Sequence, residues 1–396
     1  MMRCMARWFA GVILALVMAW GGLWWYAEGR LHDMLAETAS LQNTSDGSSV
    51  LSYDGISKGA NPLTASATLH NLRWSLLTLG EGTPSVINVA QVTAWIDAFD
   101  PLVMHIGLPN RIDISTPRVA GSITFGTIAI SAGLNPHVLF SRDTYALTSQ
   151  NLGIQNLNVL AGGGNFPLLH VDGITGQETF NAGADASQTA FTGEESFDGI
   201  ALTPVLVALG HVPFGGKIAH IALNLTLSGP ADRNGLMEQL RAPQITDQDR
   251  RKLVIETVHE WATHGGNGKG NLTLVLGPST LNAGGTVAFD ATAQPIGTAD
   301  VAADHLDAFT AALINAYSPL QQSIANIEAQ LSPYLTTTDA GGQALSMHID
   351  YGKPGVMING TRKSDMPPLD WDGLENPPAP ATQAPGDGSG AAAPGP

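Results

Sequence analysis

Residues Trp8 to Ala27 carry no charge, and Arg3 and Arg7 stand just ahead of them. Few structures can accommodate such a run. As a helix rising ~1.5 Å per residue it spans ~30 Å, the thickness of a bilayer's hydrocarbon core. The basic residues before it place residues 1–7 in the cytoplasm by the positive-inside rule. Trp20, Trp24, Trp25 and Tyr26 gather at the far end, where aromatic rings favour the membrane interface. The run reads as a single-pass inner-membrane anchor, with everything after it in the periplasm. A cleaved signal peptide is the rival reading, and it needs a small-x-small site. Ala19-Trp20-Gly21 offers one, whereas cleavage after Ala27 would put bulky Trp25 where a small residue belongs.

The single cysteine, Cys4, precedes the run, so it is not a lipoprotein acceptor. The body beyond the run therefore has no disulfide framework and no cysteine-ligated metal. The formal net charge is −16, and −18 once Arg3 and Arg7 are set aside. That balance argues against nucleic acid as a partner and against strong attraction to anionic headgroups.

Charged residues make up 13% of the chain, about half the share in an average soluble domain, while 45 Gly and 24 Pro favour turns and short strands. The clearest strand has Ala219, Ile221, Leu223, Leu225 and Leu227 alternating with His220, Ala222, Asn224, Thr226 and Ser228. A period of two implies a sheet with one apolar face. Leu272, Leu274 and Leu276, and then Leu345, Met347 and Ile349, repeat the pattern. With Ile221, Leu223, Leu225 and Leu227 they are the candidate binding face, the rival being that they form an ordinary core.

The expected fold is mainly β with a few helices (α+β): curved antiparallel sheets in two lobes, preceded by one transmembrane helix. Residues 28–42 read as a helical stalk continuing the anchor, 43–200 as the first β-rich lobe and 201–366 as the second. Helices are expected over 246–263, 304–316 and 319–331, the first capped by Thr246 and the last by a capping box at Ser318-Pro319-Leu320-Gln321. Leu202–Leu209 reads as a short helix, and a hairpin is expected across Tyr351–Gly355. Residues 367–396 are rich in Pro, Ala and Gly and read as a disordered tail.

Four stretches carry a family resemblance: Tyr53–Ser57, Leu63–Leu69, Leu281–Asp290 and Met347–Gly360. They resemble an uncharacterised proteobacterial family named only as domain of unknown function 2125. The likeness covers most of residues 1–370 and implies one N-terminal anchor with an envelope-facing β-rich body. It departs at Ala60-Asn61-Pro62, where the family usually has Gly-Phe-Pro. It brings no catalytic residues. The strand style more loosely resembles AsmA-like envelope proteins, whose curved sheets imply an apolar groove for lipid.

Several motifs suggest chemistry that their context denies. Gly55-Ile-Ser57-Lys-Gly59 fits G-x-S-x-G but lacks the buried strand before it and the helix after it, and reads as a hairpin turn. In His259-Glu260-Trp-Ala-Thr-His264 the second histidine comes one residue too late to share a helix face, so His264 reads as a helix-end residue. Gly266–Asn271 lacks the Ser or Thr of a phosphate loop and reads as a flexible connection. Glu194, Glu195 and Asp198 read as a solvated Gly-rich loop rather than a calcium site. His211 and His220 make no ligand spacing, and Trp74, Trp95, Trp261 and Trp371 read as packing. No cofactor and no metal is implied. The expected function is non-enzymatic: a tethered envelope protein holding lipid or another hydrophobic ligand, or alternatively a scaffold for an envelope protein partner. A hydrolase is the remote third reading.

Overall fold

The computed structural model describes residues 2–43, 49–61, 63–77, 84–135, 147–163, 166–210, 212–230, 245–338, 342–353 and 355–375, together with Leu236 and Gln239. Its strands are β1 (Ser49–Ser52), β2 (Gly55–Lys58), β3 (Thr64–Leu76), β4 (Ser85–Asp97), β5 (Asp100–Gly107), β6 (Arg111–Ser115), β7 (Ala120–Thr124), β8 (Thr127–Leu134), β9 (Leu147–Ala161) and β10 (Phe166–Phe180). There follow β11 (Thr189–Leu202), β12 (Lys217–Ser228), β13 (Asn267–Leu276), β14 (Ser279–Phe289), β15 (Pro295–Asp304), β16 (Leu335–Thr337), β17 (Gln343–Gly352), β18 (Gly355–Ile358) and β19 (Thr361–Ser364). The helices are α1 (Met2–Leu41), α2 (Pro204–Gly210), α3 (Asp247–Thr263), α4 (Leu306–Ala316), α5 (Gln321–Leu331) and α6 (Trp371–Glu375).

All 19 strands belong to one antiparallel sheet, and the chain lays it down as a meander. β1 and β2 run end to end along β3, as β5 and β6 do along β4, and β7 and β8 along β9. From β9 to β15 each strand pairs with the one before it, and β17 then adds to β15. The boundary expected near residue 200 falls inside β11, which pairs with β12 from Thr189 to Ala201. The two lobes are therefore halves of one sheet, because pairing them leaves neither half with an open edge at the junction.

A line of irregular backbone crosses the first half. Asn71 and Asn156 have positive φ (50° and 53°), as does Gly199 (62°). They fall level with the breaks between β1 and β2, β5 and β6, and β7 and β8. Asn and Gly tolerate the left-handed region, so this line is where the long strands bend.

α1 is one unbroken helix, so the expected anchor and stalk are continuous. The stalk is not free, however. Leu31 is 1% exposed in a core with Ala65, Ala67, Ala94, Ile96 and Leu134, against which Trp24, Ala27 and Leu35 also pack. Trp24 Nε1 donates to the Asn61 carbonyl at 2.9 Å, while Trp25 and Tyr26 stay exposed. Among the described residues no helix is long and apolar enough to cross a membrane. The side chains of 2–17, which open the expected anchor, lie outside the described residues.

Several local expectations are met. α3 is capped by Thr246, whose hydroxyl accepts from the Asp249 N–H while the Asp249 carboxylate accepts from the Thr246 N–H. α2 stands where a short helix was read, and β17 and β18 form the hairpin. Others are corrected. Ser318 opens a short 3-10 turn, Ser318–Leu320, and caps nothing; α5 begins after it. Gly266–Asn271, read as a flexible connection, mostly becomes the start of β13, and Gly284-Gly285 lies within β14. A Cβ on Gly268 would come within 3.1 Å of Leu227 and 3.3 Å of Val287, so the glycine lets these neighbours close over the strand. The disordered tail was expected from 367, yet Leu369 and Trp371 are fastened to the sheet by Gln294 and the Ala293 carbonyl, and α6 follows. Residues 376–396 lie outside the described residues.

Candidate ligand-binding face of the sheet

Residues directly opposite in an antiparallel ladder point to the same side. One row across the sheet is Leu152, Gly176, Glu195, Leu223, Leu272, Ala283, Val301 and Met347, each opposite the next. The next row is Ile154, Ile174, Phe197, Ile221, Leu274, Leu281, Ala303 and Leu345. On the other flank stand Gln150, Glu178, Gly193, Leu225, Gly270, Gly285, Ala299 and Ile349, then Phe180, Phe191, Leu227, Gly268 and Val287. Leu276 shares this side with Leu274, two residues away. The structure thus brings all ten residues of the candidate face together on one side.

The reverse side is polar. Thr68 bonds Thr93, Thr175 bonds Ser196, Thr179 bonds Thr192, Thr273 bonds Asn282 and Thr286 bonds Thr298. His220 meets Asp198 at 2.6 Å, and His348 meets Asp300 at 2.6 Å and Asp350 at 3.3 Å. The Asp300 carboxylate, followed by that of Asp350, holds the His348 imidazole above its ordinary pKa. Alternation therefore sorts the sheet into an apolar side and a hydroxyl- and charge-bearing side.

Cover on the apolar side is uneven. At the first strands α1 seals it, leaving Ala67 0% and Leu69 2% exposed. In the middle it is open: Leu223, Leu225 and Leu272 are 44%, 36% and 37% exposed. Between these zones lies a cavity of about 550 Å³ lined by Met104, Ile106, Ile130, Leu152, Ile174 and Phe197, with Glu178 and Glu195 at its edge. The margins are walled. At one end of β14, Trp261 of α3 meets Phe289 edge-on, and its indole N–H donates to the Ser228 carbonyl at 2.9 Å. A second cavity of about 390 Å³ lies there, between Phe180, Phe191 and Leu227 and the α3 residues Val258 and Trp261. At the other end, Leu306 and Phe309 of α4 cover Leu274, Leu276 and Leu281.

Two features here were missed or misread in the sequence. Glu194, Glu195 and Asp198 lie in β11 and not in a loop; Glu195 faces the apolar side, opposite Leu223, while Glu194 and Asp198 face the reverse. The signal was present as the alternation Phe191, Gly193, Glu195, Phe197, hidden by the glycines. The helical walls required knowledge of which margin each helix reaches.

The chemical motifs do not assemble. Ser57 lies in β2, with the turn further on, and its Oγ is 2.7 Å from His70 Nε2 across the ladder; Ser57 is exposed and His70 half-buried, and no carboxylate bonds that histidine among the described residues. His264 is the C-cap of α3, its Nδ1 2.7 Å from the Glu260 carbonyl, as expected of a helix-end residue. His259 instead bonds Glu375 at 2.9 Å and stacks on Trp371 with ring centres 4.5 Å apart. Trp95 stacks on His105, and Trp74 donates to Ser49, so the tryptophans pack. Among the described residues no three His, Cys, Asp or Glu side chains group to hold a metal. His211 lies outside the described residues.

No curated protein and no solved structure matches the chain. The likeness to AsmA-like proteins finds no support among these comparisons. One family profile, described as "Uncharacterized protein conserved in bacteria (DUF2125)", matches residues 24–352. That span begins at the first α1 side chain packed on the core and runs through β17, so the sheet with its apolar side is the shared part, and the chain belongs to the DUF2125 family.

Proposed function

We propose that this is a non-enzymatic, membrane-tethered protein of the cell envelope, whose body holds a lipid or another hydrophobic ligand on the open side of the sheet. One observation carries the reading: Leu223, Leu225 and Leu272 remain exposed side by side within an apolar surface that elsewhere is covered. Exposed contiguous apolar area on a folded body marks a binding surface. The walls of α3 and α4 turn the surface into a trough. The uncharged run Trp8–Ala27, with Arg3 and Arg7 before it, supplies the tether: its part ahead of Trp24 lies in the inner membrane, and the body, on which Trp24 and Ala27 pack, lies in the periplasm.

The test is native mass spectrometry of the full chain, released gently from membranes. A stoichiometric co-purified lipid, lost in Leu223→Asp/Leu225→Asp while circular dichroism and melting stay unchanged, supports the reading. A clean apo mass and no uptake of added lipid overturns it. A second reading, a scaffold for an envelope protein partner, is favoured by Phe99, 90% exposed at the tip between β4 and β5. In that case Phe99→Ala abolishes cross-linking to the partner, and the Leu223 and Leu225 substitutions do not.

A further inference from the structure

The apolar side is not uniformly apolar. Glu178 on β10 and Glu195 on β11 break it at its centre, and both edge the cavity of about 550 Å³. Glu195 is opposite Gly176, two residues before Glu178, and Glu178 is opposite Gly193, two residues before Glu195. The two are diagonal neighbours, close enough for both carboxylates to reach one group. Across the β10–β11 ladder each faces a glycine, so no side chain stands between the two; on their outer sides Glu178 is opposite Gln150 and Glu195 opposite Leu223, neither of them charged. Among the described residues neither carboxylate has a hydrogen bond or an ion pair, and no cation stands on the rows around them. Lys217 and Lys269 do not help: Lys269 shares the reverse side with Thr226, and Lys217 lies at the far end of β12 beside Ala201.

A carboxylate on an apolar surface weakens that surface for a purely apolar occupant, and two adjacent ones repel each other. The arrangement becomes favourable when the occupant brings positive charge beside its apolar chain. We propose that the cavity takes a cationic amphiphile: an aliphatic chain lying along Ile106, Ile130, Leu152 and Ile174, with an amine or quaternary ammonium group between Glu178 and Glu195. This rests on the proposal that the apolar side binds a hydrophobic ligand, and it adds the charge of that ligand. The −16 balance of the whole chain points the same way, since it disfavours anionic amphiphiles at long range.

The experiment is photoaffinity labelling of the full chain with three diazirine-bearing probes of equal chain length, an alkyl amine, an alkyl alcohol and an alkyl carboxylate, with adducts mapped to peptides of residues 147–228. The expected result is labelling by the amine about fivefold above the carboxylate, collapsing to parity in Glu178→Gln/Glu195→Gln, which keeps cavity size. Equal labelling by all three probes, unchanged in the double variant, overturns this inference and leaves the apolar reading standing. A preference for the amine that survives the double variant overturns the assignment to these carboxylates. No labelling by any probe overturns both proposals.

Discussion

Single residues show most plainly how α1 belongs to the body. Leu31 is 1% exposed and touches a core otherwise built mostly of alanines, so its loss leaves space that small neighbours cannot fill. Leu31→Ala is expected to cost ~2–5 kcal/mol in denaturant unfolding. One turn earlier, Glu28 is 2% exposed, and its Oε1 has no hydrogen-bond partner among the described residues. A buried polar atom left without a partner costs ~1–3 kcal/mol, so Glu28→Leu is expected to raise the melting temperature; a fall would show that the Glu28 carboxylate stabilises the fold. On the polar side, His348 carries the pH dependence. Its pKa is raised from 6.5 first by the Asp300 hydrogen bond, so the stability it contributes is fully present below 6.5 and disappears as pH rises through the folded value. Asp300→Asn should lower the His348 pKa in an NMR titration and flatten that dependence. Among these residues, Leu31 gave no sign in the sequence of being core, because an apolar residue in a helix after an anchor looks the same whether or not a sheet lies beneath it.

Elements divide by whether their signals are local. α3 was legible because its cap and first turn are encoded in adjacent residues, and the structure closes the reciprocal bonds of Thr246 and Asp249. Thr246→Ala is accordingly expected to cost ~1 kcal/mol. β12 was legible from its period of two. β11 and the start of β13 were not, since Gly193, Gly199, Gly268 and Gly270 remove the side chains that would have shown an alternation, and their strand character comes from neighbours pairing on both sides. The C-terminal segment is another case. Pro- and Ala-rich text suggests disorder from 367, but three distant groups hold residues 369–375: Gln294, the Ala293 carbonyl and His259. A chain ending at Ser364 should expose Trp261 and Phe289, seen as faster iodide quenching of tryptophan emission and earlier protease cleavage in α3. Unchanged quenching would mean that this strap covers nothing.

For the whole molecule, the class of fold and the existence of an apolar side could be read in advance, and the ten residues assigned to it do share one side. What could not be read is that the two halves are a single sheet and that cover is partial, because both depend on pairing between strands and on where helices land. The meander also has a consequence for how such a chain changes over time. Among the described residues no pairing skips more than two strands in sequence, the widest step being β5 with β8, so no strand has a distant partner to lose. An additional hairpin spliced at a tip would replace the one ladder at that tip, leave the others in register and widen the array by ~10 Å, two strand spacings. The span of this protein is thus set by a count of hairpins, a quantity that duplication or deletion of some 25–30 residues can adjust in steps, at ~3.3 Å per strand residue, without redesign of what is already there.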